Sequence, residues 1–210
     1  MTGDADDRET LSRLTQNGQE ALADLFCQHR DRLWRMIRLR LDHRLAARMD
    51  PSDVLQEVYL DAVQRLGGYL DNPAIPFPLW LRLLTGRRLL EVHRRHLGAK
   101  RRSAEQELSL EQGAWPVASP AAFADHLVGS LTSPSQAAMR HEVQGRLADA
   151  LSRMDPIDRE VLVLRHFDEL SNNEVAGLLG LQKSAASNRY VRALDRLREI
   201  LAEMPELRPL

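Results

Sequence analysis

Three sets of side chains in this sequence have the types and spacing to do chemistry. In each the chemistry is recognition rather than bond making. The first lies in "KSAASNRYVR", where Ser184, Ser187, Asn188, Arg189 and Arg192 are interleaved with alanine. On a helix of ~3.6 residues per turn, Ser184, Asn188 and Arg192 share one face, with Ser187 and Arg189 at its edges. Ala186, Tyr190, Ala193 and Leu197 form the opposite, inward face. Asn pairs bidentately with adenine, and Arg pairs with guanine or phosphate. Small neighbours let such a helix bring its backbone close to base edges. A solvated helix face would carry similar residues, so the pattern points to nucleic acid without requiring it.

The second set is a run of cations. Between residues 82 and 102 stand Arg82, Arg87, Arg88, Arg94, Arg95, Lys100, Arg101 and Arg102, against the single acid Glu91. That density suits phosphate neutralisation. Tyr69, Phe77 and Trp80 just precede or open the run, where aromatic rings can stack on unpaired bases or simply fill a core. His93 and His96 are three residues apart, but no companion cysteine or acidic pair supports a metal site. No metal and no cofactor is expected.

The third set lies in "DPSDVLQEVYLDAVQRL". A helix there buries Val54, Leu55, Val58, Ala62 and Leu66 and turns Asp53, Gln56, Glu57, Leu60 and Gln64 outward. An outward leucine inside an acidic rim suits a protein partner, although single exposed leucines are common.

Helices must position all three sets. Period-two alternation is absent and β-branched residues are sparse, so no strand is expected. A long amphipathic helix follows Gly18, and a basic loop runs to Met49. Asp50, Pro51 and Asp53 supply the cap chemistry of the next helix, which is expected to end at Gly67-Gly68. A proline-rich loop (Pro73, Pro76, Pro78) leads to a helix over about 79–97. From Ser103 to Met139 there is no Lys or Arg, while Glu105, Glu107, Glu111 and Asp125 occur. This stretch reads as a flexible acidic linker with short helical pieces. Four helices then follow, over about 141–153, 156–166, 172–179 and 183–203. Ser171 and Glu174 make a capping box, and Gly180 suits a turn with positive φ. The pair 172–179 and 183–203 has the length and punctuation of a helix-turn-helix. The fold class is all-α: two small helical domains on a tether. The domains are expected at 8–102 and 140–205, the linker at 103–139, and the helix-turn-helix at about 171–192.

Composition sets further bounds. The formal net charge of the 210 residues is −1, so any nucleic-acid surface must come from charge distribution rather than charge total. Cys27 is the sole cysteine, which rules out an intramolecular disulfide and fits a reducing compartment. The acidic start "MTGDADDRET" does not read as a signal peptide. No apolar run approaches the ~18 residues of a membrane span. A soluble, cytoplasmic protein without membrane insertion is expected.

The order of these segments resembles a known family. "DPSDVLQEVYLDAVQRL", a proline-containing loop and "PLWLRLLTGRRLLEVHRRHL" look like region two of the extracytoplasmic-function (ECF) sigma factors, of the sigma-seventy class. "LSRMDPIDREVLVLRHFDELSNNEVAGLLGLQKSAASNRYVRALDRLREIL" looks like their region four. The resemblance implies a subunit of bacterial RNA polymerase that directs promoter-specific transcription initiation and is not an enzyme. It implies that Asp53, Gln56, Glu57 and Leu60 dock on the β′ clamp helices of core RNA polymerase. Arg82, Arg87, Arg88, Arg94 and Arg95 would contact the minus-ten element as it melts. Ser184, Ser187, Asn188, Arg189 and Arg192 would read the minus-thirty-five element of promoter DNA. The β flap would hold region four, and an anti-sigma factor is a further implied partner. The sequence departs from the family pattern at Pro78-Leu79, at Arg87 where Asn is common, at Gly86 inside a helix, and at Gln182 or Lys183 where Ser usually caps. The alternative is a stand-alone helix-turn-helix transcriptional regulator, which would bind duplex DNA without polymerase. An enzyme is disfavoured, because no P-loop, nucleophile elbow, zinc spacing or catalytic carboxylate pair is present.

Overall fold

The computed structural model describes residues 3–46, 48–97, 107–110, 113–131, 137–204 and 207. Among them are nine helices and one two-stranded hairpin, so the all-α class holds. The first helix, α1 (Gly3–Arg40), is broken at Gly18, whose φ of 48° and ψ of −117° suit a residue without a Cβ. Beyond a short α2 (His43–Ala46), α3 (Pro51–Asp71) opens with the expected cap. Asp50 Oδ1 accepts from Ser52 N at 2.7 Å, and Asp53 Oδ2 accepts from Asp50 N at 3.3 Å.

Several boundaries differ from the sequence expectation, the end of α3 among them. Helix α3 does not stop at Gly67-Gly68 but runs on to Asp71. The reason is tertiary. Tyr69 is buried and stacks on Trp80 with ring centroids 4.6 Å apart, and its hydroxyl donates to Ile75 O at 3.0 Å. That packing offsets the roughly 1 kcal/mol that each helical glycine costs. Burial pushes the Tyr69 phenol up to about 12, so it stays protonated and keeps donating. Helix α4 (Phe77–Leu97) begins two residues earlier than expected, with Pro78 in the first turn, where its missing N–H is harmless. Helices α1, α3 and α4 enclose one apolar core around Leu22, Ile37, Val58, Phe77 and Leu81.

The stretch expected to be a flexible acidic linker with short helical pieces is built, as far as it is described. Strands β1 (Glu107–Leu110) and β2 (Gly113–Pro116) pair antiparallel with Leu108 opposite Trp115. This is a correction: no strand was expected here. Helix α5 (Pro120–Leu131) follows, and Trp115, Val117, Phe123 and Val128 are buried. These apolar residues, rather than period-two alternation, give the segment something to fold onto.

The C-terminal helices are α6 (Ala137–Ser152), α7 (Pro156–His166), α8 (Asn172–Leu179) and α9 (Lys183–Ala202). Asp155 caps α7 by accepting from Ile157 N and Asp158 N, with Pro156 at the first position. Ser171 and Glu174 form the capping box of α8, and Gly180 ends it with φ 64°. The two helical domains touch. A shared apolar cluster takes Met36 and Leu79 from the N-terminal domain, Trp115 from the hairpin, and Val161, Leu164 and Leu170 from the C-terminal domain.

Candidate nucleic-acid interface

Helices α8 and α9 make the helix-turn-helix. Val175, Leu178 and Leu179 bury α8, and Ala186, Ala193 and Ile200 bury one side of α9. The side chain of Asn172 donates to Lys183 O at 2.9 Å and ties the start of α8 to the start of α9. The N-cap of α9 is Gln182, which makes no side-chain capping bond. The first turn of α9 therefore keeps backbone N–H groups that no side chain of the cap satisfies.

Of the residues read from the sequence as outward, Ser184, Ser187 and Asn188 are exposed. Arg189 and Arg192 are held. Arg192 makes a two-pronged contact with Asp158, Nε to Oδ2 at 2.8 Å and Nη2 to Oδ1 at 2.9 Å. Arg189 Nη1 reaches the same carboxylate at 2.6 Å. Burial alone would raise the Asp158 carboxyl, but the hydrogen bonds from Arg192 and Arg189 hold it below the ordinary range. Asp158, in the first turn of α7, thus fixes two cations at the rim of the exposed face. Sequence spacing did not reveal this role. It also missed Val191, which is 57% exposed and stands on the same side as Ser184 and Asn188. An apolar side chain there can meet a thymine methyl. The signal was available, since a valine on an otherwise polar face has no packing reason to be there.

Tyr190, expected inside, is half-buried. Its ring packs against the core, its hydroxyl lies 2.9 Å from His166 Nε2, and the Arg165 guanidinium sits 5.3 Å from its centroid.

The five arginines of α4 do not form one surface. Arg87, Arg94 and Arg95 are exposed, and Arg94 Nε also donates to Leu90 O at 3.2 Å. Arg88 is largely covered and pairs with Asp61, with Glu91 at 3.1 Å and with Glu57 at 3.5 Å. Arg82 is only 5% exposed, and its Nη2 donates to Asp168 O in the C-terminal domain at 2.8 Å. The cations Lys100, Arg101 and Arg102 lie outside the described residues. His93 is buried and accepts from Asp42 N through Nε2 at 3.3 Å. Burial pulls its pKa down, opposed by Asp42.

Between α3 and α4 opens a groove of about 510 Å³ lined by Arg65, Tyr69, Asn72, Ile75, Trp80 and Arg87, among others. It combines a half-buried indole with two guanidinium groups, which suits an unpaired base and its phosphates. The aromatics were readable from the sequence, but the contribution of Arg65 from α3 was not.

On the far side of α3, Leu60 is 59% exposed. It borders a groove of about 500 Å³ shared with Phe26, Cys27, Arg30, Leu55 and Gln56. Asp53 and Gln56 are exposed, and Glu57 lies 3.9 Å from Arg95. The surface read from sequence therefore has an apolar floor supplied by α1.

A family profile described as "Sigma-70, region 4" matches residues 144–197. Over 196 residues the chain is 25% identical to RNA polymerase sigma factor CarQ of Myxococcus xanthus, covering 92% of this chain and 97% of that protein. It is 22% identical to RNA polymerase sigma-H factor of Pseudomonas aeruginosa over 197 residues, 90% of this chain and 96% of the other. A shorter match, 39% over 62 residues, joins 30% of this chain to 34% of RNA polymerase sigma-E factor of Streptomyces antibioticus. Among solved structures, CnrH in complex with the cytosolic domain of CnrY shares the fold, with a TM-score of 0.57 and 22% identity over 94% of this chain and 98% of that one.

Proposed function

We infer that the chain is an RNA polymerase sigma factor of the extracytoplasmic-function type, directing promoter-specific transcription initiation. Its partners are RNA polymerase and promoter DNA. The observation that carries the reading is the helix-turn-helix whose second helix offers Ser184, Ser187 and Asn188 to solvent, inside the segment that matches sigma-70 region 4.

The finer assignment is our proposal. Residues 8–102 act as region two, 103–139 connect, and 140–205 act as region four, with the reader at about 171–192. Asp53, Gln56, Glu57 and Leu60 dock on the β′ clamp helices, supported by the apolar floor beneath Leu60. Arg87, Arg94 and Arg95 neutralise phosphates of the minus-ten element, and the groove beside Trp80 receives an unpaired base. Arg82 and Arg88 join them only where their present partners let go. Ser184, Ser187 and Asn188 read the minus-thirty-five duplex, and Arg189 and Arg192, oriented by Asp158, meet its phosphates. The β flap holds the C-terminal domain. An anti-sigma factor is a further partner, by analogy with CnrH, whose solved complex contains a second protein. The protein works in the cytoplasm and has no catalytic role of its own. Among the described residues no helix is long and apolar enough to cross a membrane.

Run-off transcription with core polymerase tests this. The chain should convert core enzyme into one that starts at defined promoters, and Glu57→Lys should weaken co-purification with core while leaving the helical circular dichroism unchanged. Tight sequence-specific binding by the isolated chain, with no effect on core enzyme, would favour the stand-alone regulator.

A further inference from the structure

Helix α7 lies outside the helix-turn-helix, yet one of its side chains is built into the face that α9 presents. Asp158 stands in the first turn of α7, and its side chain is only 8% exposed. Asp155, the N-cap, accepts from Asp158 N at 3.2 Å and fixes the backbone from which that carboxylate projects. Arg189 and Arg192 are three residues apart on α9, so they are neighbours on its surface, and both reach Asp158. They use different edges. Arg192 closes a fork on the carboxylate, Nε to Oδ2 at 2.8 Å and Nη2 to Oδ1 at 2.9 Å. Arg189 adds Nη1 to Oδ1 at 2.6 Å, and the same nitrogen lies 3.4 Å from Asp155 Oδ1. A guanidinium carries its N–H donors in a rigid plane, so Arg192 keeps Nη1 for a ligand, and Arg189 keeps Nε and Nη2.

For DNA, this carboxylate has two opposite effects. As a charge, it repels phosphate and offsets part of the attraction of the two arginines. As a clamp, it removes the rotamer freedom of two long side chains before DNA arrives. Ordering each of them only on binding would weaken the complex by roughly two- to tenfold. Placement decides which effect wins. A mask must sit between the arginines and the phosphate, but Asp158 lies beneath them: the Arg192 side chain is 61% exposed while that of Asp158 is buried. The bonds to Asp158 need not break for the remaining donors to meet DNA. Burial opposes ionisation of the carboxyl, but the bonds from Arg192 and Arg189 hold it below the ordinary carboxylate range, so the clamp is charged at neutral pH.

We propose that Asp158 is a positioning residue of the minus-thirty-five reader, one whose negative charge strengthens rather than weakens the grip of Arg189 and Arg192 on the DNA backbone. The inference rests on the sigma-factor reading, and it adds α7 to a surface otherwise made by α8 and α9. The two guanidinium groups stand at the rim of the face that carries Ser184, Ser187 and Asn188. Phosphate contacts carry no sequence information but fix the register of a reader on the duplex. By holding both arginines, Asp158 sets the register in which those three side chains meet base edges.

The sign of one substitution tests this. Asp158→Asn keeps the shape of the side chain and removes its charge. Holoenzyme made with the full chain is titrated on a promoter that run-off transcription identifies, at several salt concentrations. The temperature is kept well below the unfolding midpoint of each variant, so a loss of stability alone leaves binding unchanged. Promoter binding should weaken roughly tenfold even though the surface has gained positive charge. Tighter binding with a steeper salt slope would mean that Asp158 masks the arginines, and it overturns the proposal, as does unchanged binding. A second arm repeats the substitution in an Arg189→Ala, Arg192→Ala chain. A positioning residue acts only through the side chains it holds, so Asp158→Asn should cause no further loss there. A loss as large as in the parent chain would show that the two sites act independently, which also overturns the proposal. Should Asp158→Asn fail to fold, Arg192→Lys decides. It keeps the charge and loses the fork, and binding equal to that of the parent chain overturns the proposal. A parent chain that directs core enzyme to no promoter sinks the sigma-factor reading instead. The same variants are then titrated as isolated chains on the duplex that the parent chain selects, where the same signs decide.

Discussion

Helices α4 and α9 were both read as nucleic-acid surfaces, and they are built on opposite plans. Helix α9 has one buried side and one free side: Ala186, Ala193 and Ile200 face the core, while Ser184, Ser187, Asn188 and Val191 face solvent. Helix α4 is covered from two directions. Phe77, Leu81 and Leu84 pack into the N-terminal core, and Gly86 and Arg82 are covered by Trp115 and Asp168. Only a strip with Arg87, Glu91, Arg94, Arg95 and His96 remains open. The two helices carry equal numbers of Lys and Arg residues, yet α9 offers the larger free polar face. A count of cations says nothing about which carboxylates already hold them.

The largest effects should separate the two sides of α9. Tyr190→Ala removes a half-buried ring packed on the core and should lower C-terminal domain stability by about 2–3 kcal/mol, below the 3–5 kcal/mol typical of fully buried large aromatics. Asn188→Ala should leave the unfolding midpoint unchanged and instead cost about 1–3 kcal/mol of discrimination at a single base of the minus-thirty-five element. Denaturant titration and a promoter-library selection measure the two quantities. If Asn188→Ala shifts stability and not sequence preference, the free face of α9 is not a reader.

A smaller contrast tests the plan of α4. Arg87 is exposed, whereas Arg88 is committed to Asp61, Glu57 and Glu91. Arg87→Ala should reduce the salt slope of open-complex formation by about one unit. Arg88→Ala should leave the slope nearly unchanged and lower the stability of the N-terminal domain by roughly 1 kcal/mol, since its main partner is partly buried. Equal losses of slope in both variants would mean that Arg88 exchanges Asp61 for phosphate on binding, and the contrast between the helices would narrow.

These contrasts mark what was legible in the sequence. Helix type, the capping boxes at Asp50 and Ser171, the Gly180 turn and the outward face of α9 all follow from local chemistry, and the structure has each of them. What failed depended on distant partners. Helix α3 passes through Gly67-Gly68 because Tyr69 finds Trp80 and Ile75. The hairpin exists because Trp115 finds Glu160, 45 residues away. Arg82 is covered because Asp168, 86 residues away, lies across it. Periodicity reports which side of an element is apolar, but not which element will cover it. Gly86 shows the limit well. Its effect on helix propensity was readable, and its purpose was not, because the ring it accommodates comes from a stretch that looked like tether.

The smallest expected effect is a pH dependence to which His93 of α4 contributes, with His29 and His126 shifted in the same direction. His93 sits on α4, buried, with Nε2 accepting from Asp42 N. An imidazole that accepts through Nε2 must be unprotonated there, so charging it breaks the bond and places a cation among buried groups. Burial lowers its pKa, and Arg44 adds to the shift while Asp42 opposes it. The groups facing the ring therefore do not rescue the charged form. The sign follows directly. A histidine whose folded pKa lies below the ordinary 6.5 binds fewer protons folded than unfolded, so stability rises with pH through that range and falls on acidification. His29, on α1, is lowered in the same direction by burial, Arg82 and Arg32, and adds to the slope. Thermal unfolding of the chain should thus shift to lower temperature as pH drops below 6.5, the ordinary histidine value. His93→Gln can present an amide oxygen to Asp42 N without titrating, and should flatten the slope while leaving neutral-pH stability within about 1 kcal/mol. Asn188→Ala on α9 should leave it unaltered. An unchanged acid slope in His93→Gln would assign the whole dependence to other groups and remove His93 from the account of how α4 is held.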